Sequence, residues 1–314
     1  MAVEIPGGVS VNSEPLVLVC AADNEFAMPL AAMLASVMAN LQTVDGVALF
    51  IINGGIRDRN RHKIQQSLDL NRITITWLEP PLERLEGLKV QERIPIASYY
   101  RLLIPELLPP QYSKAIYLDS DLIVNADLGQ LWQLNLENHA LLAVQDPIIR
   151  TVSNRNGLAN YRDLELAPDT PYFNAGVLVL NLSVWRTQNL SRQILQYLVA
   201  NRDTLRWHDQ DGLNAILAQR WGQLDPRWNQ LHIIHKYRSW QESPYPESTY
   251  RAVLEDPYIV HYTTSSKPWR VGCQHPKRDL FYDYLNLTAW SGWRPTRWNR
   301  GLRKLERLQE RFRL

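Results

Sequence analysis

Lys114-Ala115-Ile116-Tyr117-Leu118 runs without a break into Asp119-Ser120-Asp121. The first five residues read as a short buried strand, too short and too apolar for a surface helix. In extended geometry alternate residues face the same way, so the Asp119 and Asp121 carboxylates can reach one cation. Two acids on the end of an apolar strand cost desolvation unless something compensates them. Hard divalent ions such as Mg²⁺ or Mn²⁺ take such oxygens and keep positions open for phosphate. By itself the spacing is weak. With 17 Asp in the chain, one Asp-x-Asp is expected by chance about once, and Asp209-Gln210-Asp211 is a second copy.

Working outward, the surroundings give the pair a place. Leu16 to Cys20 (LVLVC) is a second buried run, stopped by Ala21-Ala22-Asp23-Asn24. A helix is predicted from Pro29 to Asn40, a strand at Val47 to Ile52, a polar helix from Asp58 to Leu68 and a strand at Ile73 to Trp77. That alternation is the rhythm of a parallel sheet with crossover helices, an α/β fold. Tyr99 to Leu108 reads as a helix ended by Pro109-Pro110, which returns the chain to the strand at Lys114. Further strands are predicted at Leu141 to Val144, Gly176 to Asn181 and Tyr258 to Val260, with a loop from Ile148 to Pro168. Ligands of open α/β sheets bind beyond the carboxyl ends of the strands, and Asp23 and Asp119 both fall there.

Composition narrows the class. The chain has 314 residues, 45% hydrophobic and 21% charged, which suits a globular core. A formal net charge of +2 gives no sign of a nucleic-acid partner. The charge is uneven. From Trp293 to Leu314, eight Arg or Lys against Glu306 and Glu310 give +6, so the rest carries −4 of that total. Two cysteines, Cys20 and Cys273, point to a reducing, cytoplasmic compartment rather than a disulfide scaffold. No secretory leader or bilayer-spanning stretch is expected.

An Asp-x-Asp after an apolar strand also suits a Mg-dependent phosphohydrolase with Asp119 as nucleophile. The downstream acids such an enzyme needs are not obvious in the chain. Other segments favour a different reading. They are Ala21-Ala22-Asp23, Tyr117-Leu118-Asp119-Ser120-Asp121, Tyr172-Phe173-Asn174-Ala175-Gly176, His208-Asp209-Gln210-Asp211-Gly212-Leu213-Asn214, and His261-Tyr262 with Lys267-Pro268-Trp269. In this order, from about Leu16 to Leu285, they resemble the motifs of the family-8 retaining glycosyltransferases, which include bacterial lipooligosaccharide galactosyltransferases and glycogenin.

The resemblance implies a GT-A fold, a Rossmann-like mixed sheet flanked by helices that binds a UDP-sugar and Mn²⁺ (or Mg²⁺). Asp119, Asp121 and His261 match its metal ligands. Lys267 matches the lysine that contacts the diphosphate. Ala21, Ala22 and Asp23 match the uracil and ribose pocket, and Arg101 a donor-contacting arginine. Asp146, Asn174, Asp209 and Gln210 match positions around the transferred sugar and the acceptor hydroxyl. The chemistry agrees with these roles. Imidazole beside two carboxylates suits Mn²⁺, and an ammonium suits phosphate. Gln210 stands where a nucleophile would be expected, but an amide is a poor one. The implied route is therefore front-face transfer, with the leaving phosphate helping to accept the proton. The sequence departs from the family pattern His-x-x-Gly-x-x-Lys-Pro-Trp at Thr264, where a side chain replaces glycine beside the phosphates.

Each residue also has a plainer reading. His261 can be a satisfied core histidine, Lys267 a solvated lysine and Asp146 a turn residue before Pro147. Arg101 can pair with Glu106, and Asn174 can serve a turn. Asp211 is expected to cap its helix while Asp209 and Gln210 face the site.

The expected organisation is a catalytic unit over residues 14–290 and a basic tail over 291–314. In the tail Trp298, Leu302, Leu305, Leu308 and Phe312 form a helical apolar stripe between arginines, which suits contact with an anionic membrane at its inner face. A solvated terminal helix is the alternative. The expected activity is transfer of galactose or glucose from a UDP-hexose to a saccharide or glycolipid acceptor. The phosphohydrolase and a non-catalytic nucleotide-sugar binding module stand as alternatives.

Overall fold

Leu16–Asp23 (β1) is buried along seven consecutive residues, as a strand covered on both faces must be. It lies at the centre of a computed structural model that describes residues 15–90 and 96–296. After it come α1 (Ala27–Asn40), β2 (Val47–Gly54), α2 (Asp58–Gln66) and β3 (Ile73–Leu78). The chain continues through a 3₁₀ turn at Ile96–Leu103 into α3 (Ile104–Leu107), β4 (Lys114–Leu118), β5 (Leu122–Val124), α4 (Gly129–Gln133), β6 (Leu141–Gln145) and β7 (Phe173–Asn181). The remainder supplies α5 (Leu182–Thr187), α6 (Leu190–Ala200), α7 (Asp209–Leu217), β8 (Trp221–Gln223), β9 (Gln230–Leu231), α8 (Glu247–Glu255), β10 (Ile259–His261) and α9 (Arg278–Leu285).

The predicted strand–helix rhythm holds, with adjustments: β1 runs on through Ala21-Ala22 to Asp23, expected to stop it, because these residues still pair with β2. The helix expected from Tyr99 is mostly 3₁₀, and α-helix begins only at Ile104. Pro105 lacks the N–H that would bond back to Arg101, so one α-helix cannot run through this segment with its full ladder. The strand expected from Gly176 begins at Phe173, because Phe173 and Asn174 still pair with β6 across a bulge.

Seven strands pair in the order β3-β2-β1-β4-β7-β6-β8. The first four are mutually parallel, so Asp23 and Asp119 leave the sheet at the same edge. Strand β7 runs antiparallel to β4, so its first residues, Asn174 to Gly176, start at that edge too. The Asp119 N–H donates to the Gly176 carbonyl at 2.9 Å. A second sheet, β5-β10-β9, sits beyond the first. In it β10 opposes β5 with His261 facing Leu122, and the Tyr262 N–H donates to the Asp121 carbonyl at 3.0 Å. One short turn, Asp119 to Asp121, thus joins both sheets.

Helix α1 covers both. Its buried Ser36 hydroxyl donates to Met33 O at 2.6 Å and accepts the Val124 N–H at 2.9 Å, tying β5 to the helix. The core under β1 and β4 is apolar, with fully buried Leu18, Ile116 and Trp185. Truncating Leu18 to alanine costs about 2–5 kcal/mol on ordinary cavity terms. No helix among the described residues is long and apolar enough to cross a membrane. Residues 297–314, with the whole of the predicted amphipathic stripe, lie outside the described residues.

Candidate active site

Where β4 ends, Asp119 turns inward. Its Oδ1 accepts from Arg101 Nη2 and from the Tyr117 hydroxyl, each at 2.8 Å. Its Oδ2 lies 3.8 Å from His261 Nε2. The same Nε2 is 3.2 Å from Asp121 Oδ1, and Asp121 Oδ2 takes the Lys267 ammonium. Asp119, Asp121 and His261 each bring one ligand atom within 4.8 Å of the others, the one such His/Cys/Asp/Glu group among the described residues. His261 is buried, while both acids keep a partly open face. Burial alone would push the Asp121 carboxyl upward, but the Lys267 ammonium and the His261 imidazole hold it well below the usual carboxylate range.

Close packing makes this arrangement depend on a glycine. A Cβ on Gly176 would stand 2.3 Å from His261 Cε1 and 3.0 Å from Asp119 Oδ2. The ring's far side is held by a residue that the sequence did not single out. Asn229 Oδ1 lies 2.9 Å from His261 Nδ1, and Asn229 Nδ2 donates to Asn174 Oδ1 at 2.8 Å. Asn229 sits in an irregular segment after Pro226 with no periodicity to mark it. Asn214, quoted above only within its motif, has a role of its own. It is fully buried on α7 and bonds both the N–H and the carbonyl of Phe173, at 2.8 and 2.9 Å. A polar residue amid Leu213, Ala215 and Leu217 was the available signal.

Arg101 does not pair with Glu106. Glu106 instead pairs with Arg84 at 2.9 Å. Arg101 is buried against Asp119 and against Asp209 Oδ2, the latter at 3.1 Å. It also donates to the Ala175 carbonyl and stacks over the Tyr117 ring at 4.7 Å. One guanidinium thus clamps the ends of β4 and β7 to the start of α7. Burial raises the Asp209 carboxyl to about 6 against the opposing pull of Arg101.

Beside this clamp, Gln210 Oε1 accepts the Ala175 N–H at 3.0 Å, and its Nε2 reaches Asp146 Oδ2 at 3.4 Å. Asn174 Nδ2 points at the same oxygen from 3.3 Å. Asp146 therefore faces Gln210 and Asn174 through Oδ2 while Oδ1 holds the turn N–H groups of Ile148 and Ile149. Asp211 does not cap α7 in the usual way. It reaches back to the N–H groups of Arg206 and Trp207 and accepts the Tyr172 hydroxyl at 2.7 Å.

Along the neighbouring strand end, Asp23 Oδ1 accepts the Glu25 and Phe26 N–H groups at 2.9 and 3.0 Å. Ala21 offers its carbonyl to the Ser120 hydroxyl at 2.7 Å. Thr264 is half-buried, and its hydroxyl accepts the Ser266 N–H at 3.2 Å. Lys267 also donates to the Tyr262 carbonyl, so it reaches the acids from the loop after β10.

A parallel sheet that ends in an acid–histidine group and an antiparallel continuation is the layout of a GT-A glycosyltransferase. The galactosyltransferase LgtC, crystallised with donor and acceptor sugar analogues, has the same fold, with a TM-score of 0.75 at 24% identity, covering 90% of this chain and 99% of that one. The chain belongs to glycosyl transferase family 8, whose model matches residues 17–273. It is 30% identical to general stress protein A of Bacillus subtilis over 284 residues, 89% of this chain and 96% of that protein. It is 25% identical to the lipopolysaccharide 1,2-glucosyltransferase of Escherichia coli K12 over 241 residues, 77% of this chain and 69% of that protein.

Proposed function

We propose that this glycosyltransferase moves a hexose from a UDP-sugar to a saccharide or lipid-linked glycan, with retention, at a divalent metal held by Asp119, Asp121 and His261. The observation that carries the metal is the meeting of His261 Nε2 and Asp121 Oδ1 at 3.2 Å. A cation between the two would engage both lone pairs and relieve their repulsion at that distance. The donor set of two carboxylates and one imidazole suits Mn²⁺, with Mg²⁺ as the alternative. When bound, the metal would neutralise a diphosphate and ease its departure.

The chain's own groups divide the remaining work. Lys267 adds a second positive charge on the diphosphate side. Arg101 keeps the Asp119 Oδ1 occupied, so Oδ2 is the oxygen left to face His261. Asp209 and Gln210 at the start of α7, with Asp146 and Asn174, offer acceptors and amides to sugar hydroxyls and the acceptor. Gln210 uses its oxygen on the Ala175 N–H, which disfavours it as a covalent nucleophile and supports front-face transfer. Ala21, Ala22 and Asp23 line the neighbouring strand end, where the nucleoside would lie. The polysaccharide or lipopolysaccharide assignment and the galactose or glucose donor follow the named relatives. Residues 14–290 would form the catalytic unit. The basic tail would rest on an anionic membrane at its cytoplasmic face.

The experiment is UDP release from a panel of UDP-sugars with Mn²⁺ or with EDTA, following the anomer of the released sugar by NMR. Mn²⁺-dependent release from one donor with retained configuration is expected. Release of inorganic phosphate from monoesters in a His261→Ala variant would instead favour the phosphohydrolase reading of Asp119.

A further inference from the structure

We infer that Asp146 and Asn229 set the tautomer of His261 through a hydrogen-bond relay of fixed polarity. A backbone N–H can only donate, and Gly176 N–H donates to Asn174 Oδ1 at 3.0 Å. The oxygen end of the Asn174 amide is thereby fixed, and its nitrogen end is left facing Asp146 Oδ2 at 3.3 Å. The Asp146 carboxylate is an acceptor at both oxygens, since Oδ1 holds two backbone N–H groups at 2.9 and 3.0 Å. Asn229 must then present Nδ2 to Asn174 Oδ1, at 2.8 Å, and turn Oδ1 towards the histidine. An amide oxygen only accepts, so His261 Nδ1, at 2.9 Å, carries the ring proton.

The lone pair of the neutral ring therefore falls on Nε2, the atom that faces Asp119 and Asp121. All four members are buried, where each bond in a chain polarises the next and water does not compete. Asn229 and Asp146 are positioning residues in this device, acting on the metal site through His261. Replacing Asp146 with Asn keeps the shape but turns a nitrogen towards Asn174 Nδ2. Relief by turning the Asn174 amide would set its nitrogen against the Gly176 N–H. A reversed relay would put the histidine proton on Nε2 and block ligation. The consequence for metal binding rests on the function proposed above, whereas the tautomer itself does not.

The test is long-range ¹H–¹⁵N correlation on the metal-free, full-length chain labelled at histidine, with the His261 signals identified by their loss in His261→Gln. The wild type is expected to show a protonated Nδ1 and a bare Nε2. Asn229→Ala and the near-isosteric Asp146→Asn should both shift His261 to a tautomer mixture. The same samples titrated with Mn²⁺ alone should lose about tenfold or more in affinity for Asn229→Ala, with Asp146→Asn moving in the same direction. A protonated Nε2 in the wild type would overturn the relay. So would both variants keeping the wild-type tautomer. A wild type with the expected tautomer but no affinity for Mn²⁺ would uphold the relay and sink the metal reading.

Discussion

Replacing Gly176 with alanine inserts one methyl group between the two halves of the acid–histidine group. The new Cβ would lie 2.3 Å from His261 Cε1, 2.8 Å from its Nδ1 and 3.0 Å from Asp119 Oδ2. Ordinary contact begins near 3.4 Å, so the ring or the strand must move by about 1 Å, well beyond the roughly 0.2 Å tolerance of a ligand bond. The strand cannot back away easily. The Gly176 carbonyl accepts the Asp119 N–H, and its own N–H is used by Asn174. The ring is held from behind by Asn229. Overpacking of this kind costs about 1–3 kcal/mol. Falling on the ligand geometry, that is a loss of roughly 5- to 150-fold in metal affinity. The assay is Mn²⁺ titration followed by electron paramagnetic resonance, with a thermal melt on the same protein. Gly46→Ala serves as the control, because the nearest atom to its Cβ is a carbonyl 3.8 Å away. Mn²⁺ affinity within twofold of wild type in a folded Gly176→Ala protein would refute the proposed placement of the metal.

Two further outcomes follow from the charges. Lys267→Met removes the ammonium beside Asp121, and UDP affinity should fall about ten- to a hundredfold, read by calorimetry. An unchanged affinity would take Lys267 out of the diphosphate site. Acid stability should report His275, whose ring is buried against Tyr262 and His232, with both centroids 4.7 Å away. Burial, then the neighbouring His232 and His235, lower its pKa to about 3. The unfolded chain therefore binds the extra proton first as pH falls below about 6.5. The stabilisation is complete above that pH and is lost progressively towards pH 3, about 2 kcal/mol of it by pH 5. The wild-type urea midpoint should fall between pH 7.5 and pH 5.0, and should move less in His275→Phe. Equal pH sensitivity in both would locate the effect elsewhere.

Much of the fold was legible because apolar runs and their polar stops are local signals. The run Leu16 to Cys20 and the run Lys114 to Leu118 both lie in strands, and those strands end at the same edge of the sheet. The direction of β7 was not legible from its residues, since Val177 to Leu180 would suit either orientation. It is set by pairing with β4 and β6, and that pairing brings Asn174 to Gly176 beside Asp119. In the site, the spacing of Asp119 and Asp121 and the His261–Lys267 segment could be read directly. The partners of Arg101 could not. Glu106 was close in sequence, but a buried guanidinium finds the acids that the sheet brings to it, here Asp119 and Asp209. Asn229 stayed invisible because its function lies in two hydrogen bonds to segments 32 and 55 residues away. Thr264 remains a departure from the family pattern, and the structure gives its hydroxyl a local partner in the Ser266 N–H.

If Asp119, Asp121 and His261 hold a metal that binds the donor's diphosphate, UDP binding must depend on both the ion and the histidine. Calorimetric titration of UDP into the full chain, with Mn²⁺ and then with EDTA, tests it most directly when repeated on His261→Ala. Tight binding is expected only for the wild type with Mn²⁺, with a loss of at least tenfold with EDTA or in the variant. Equal UDP affinity in all four titrations would contradict it.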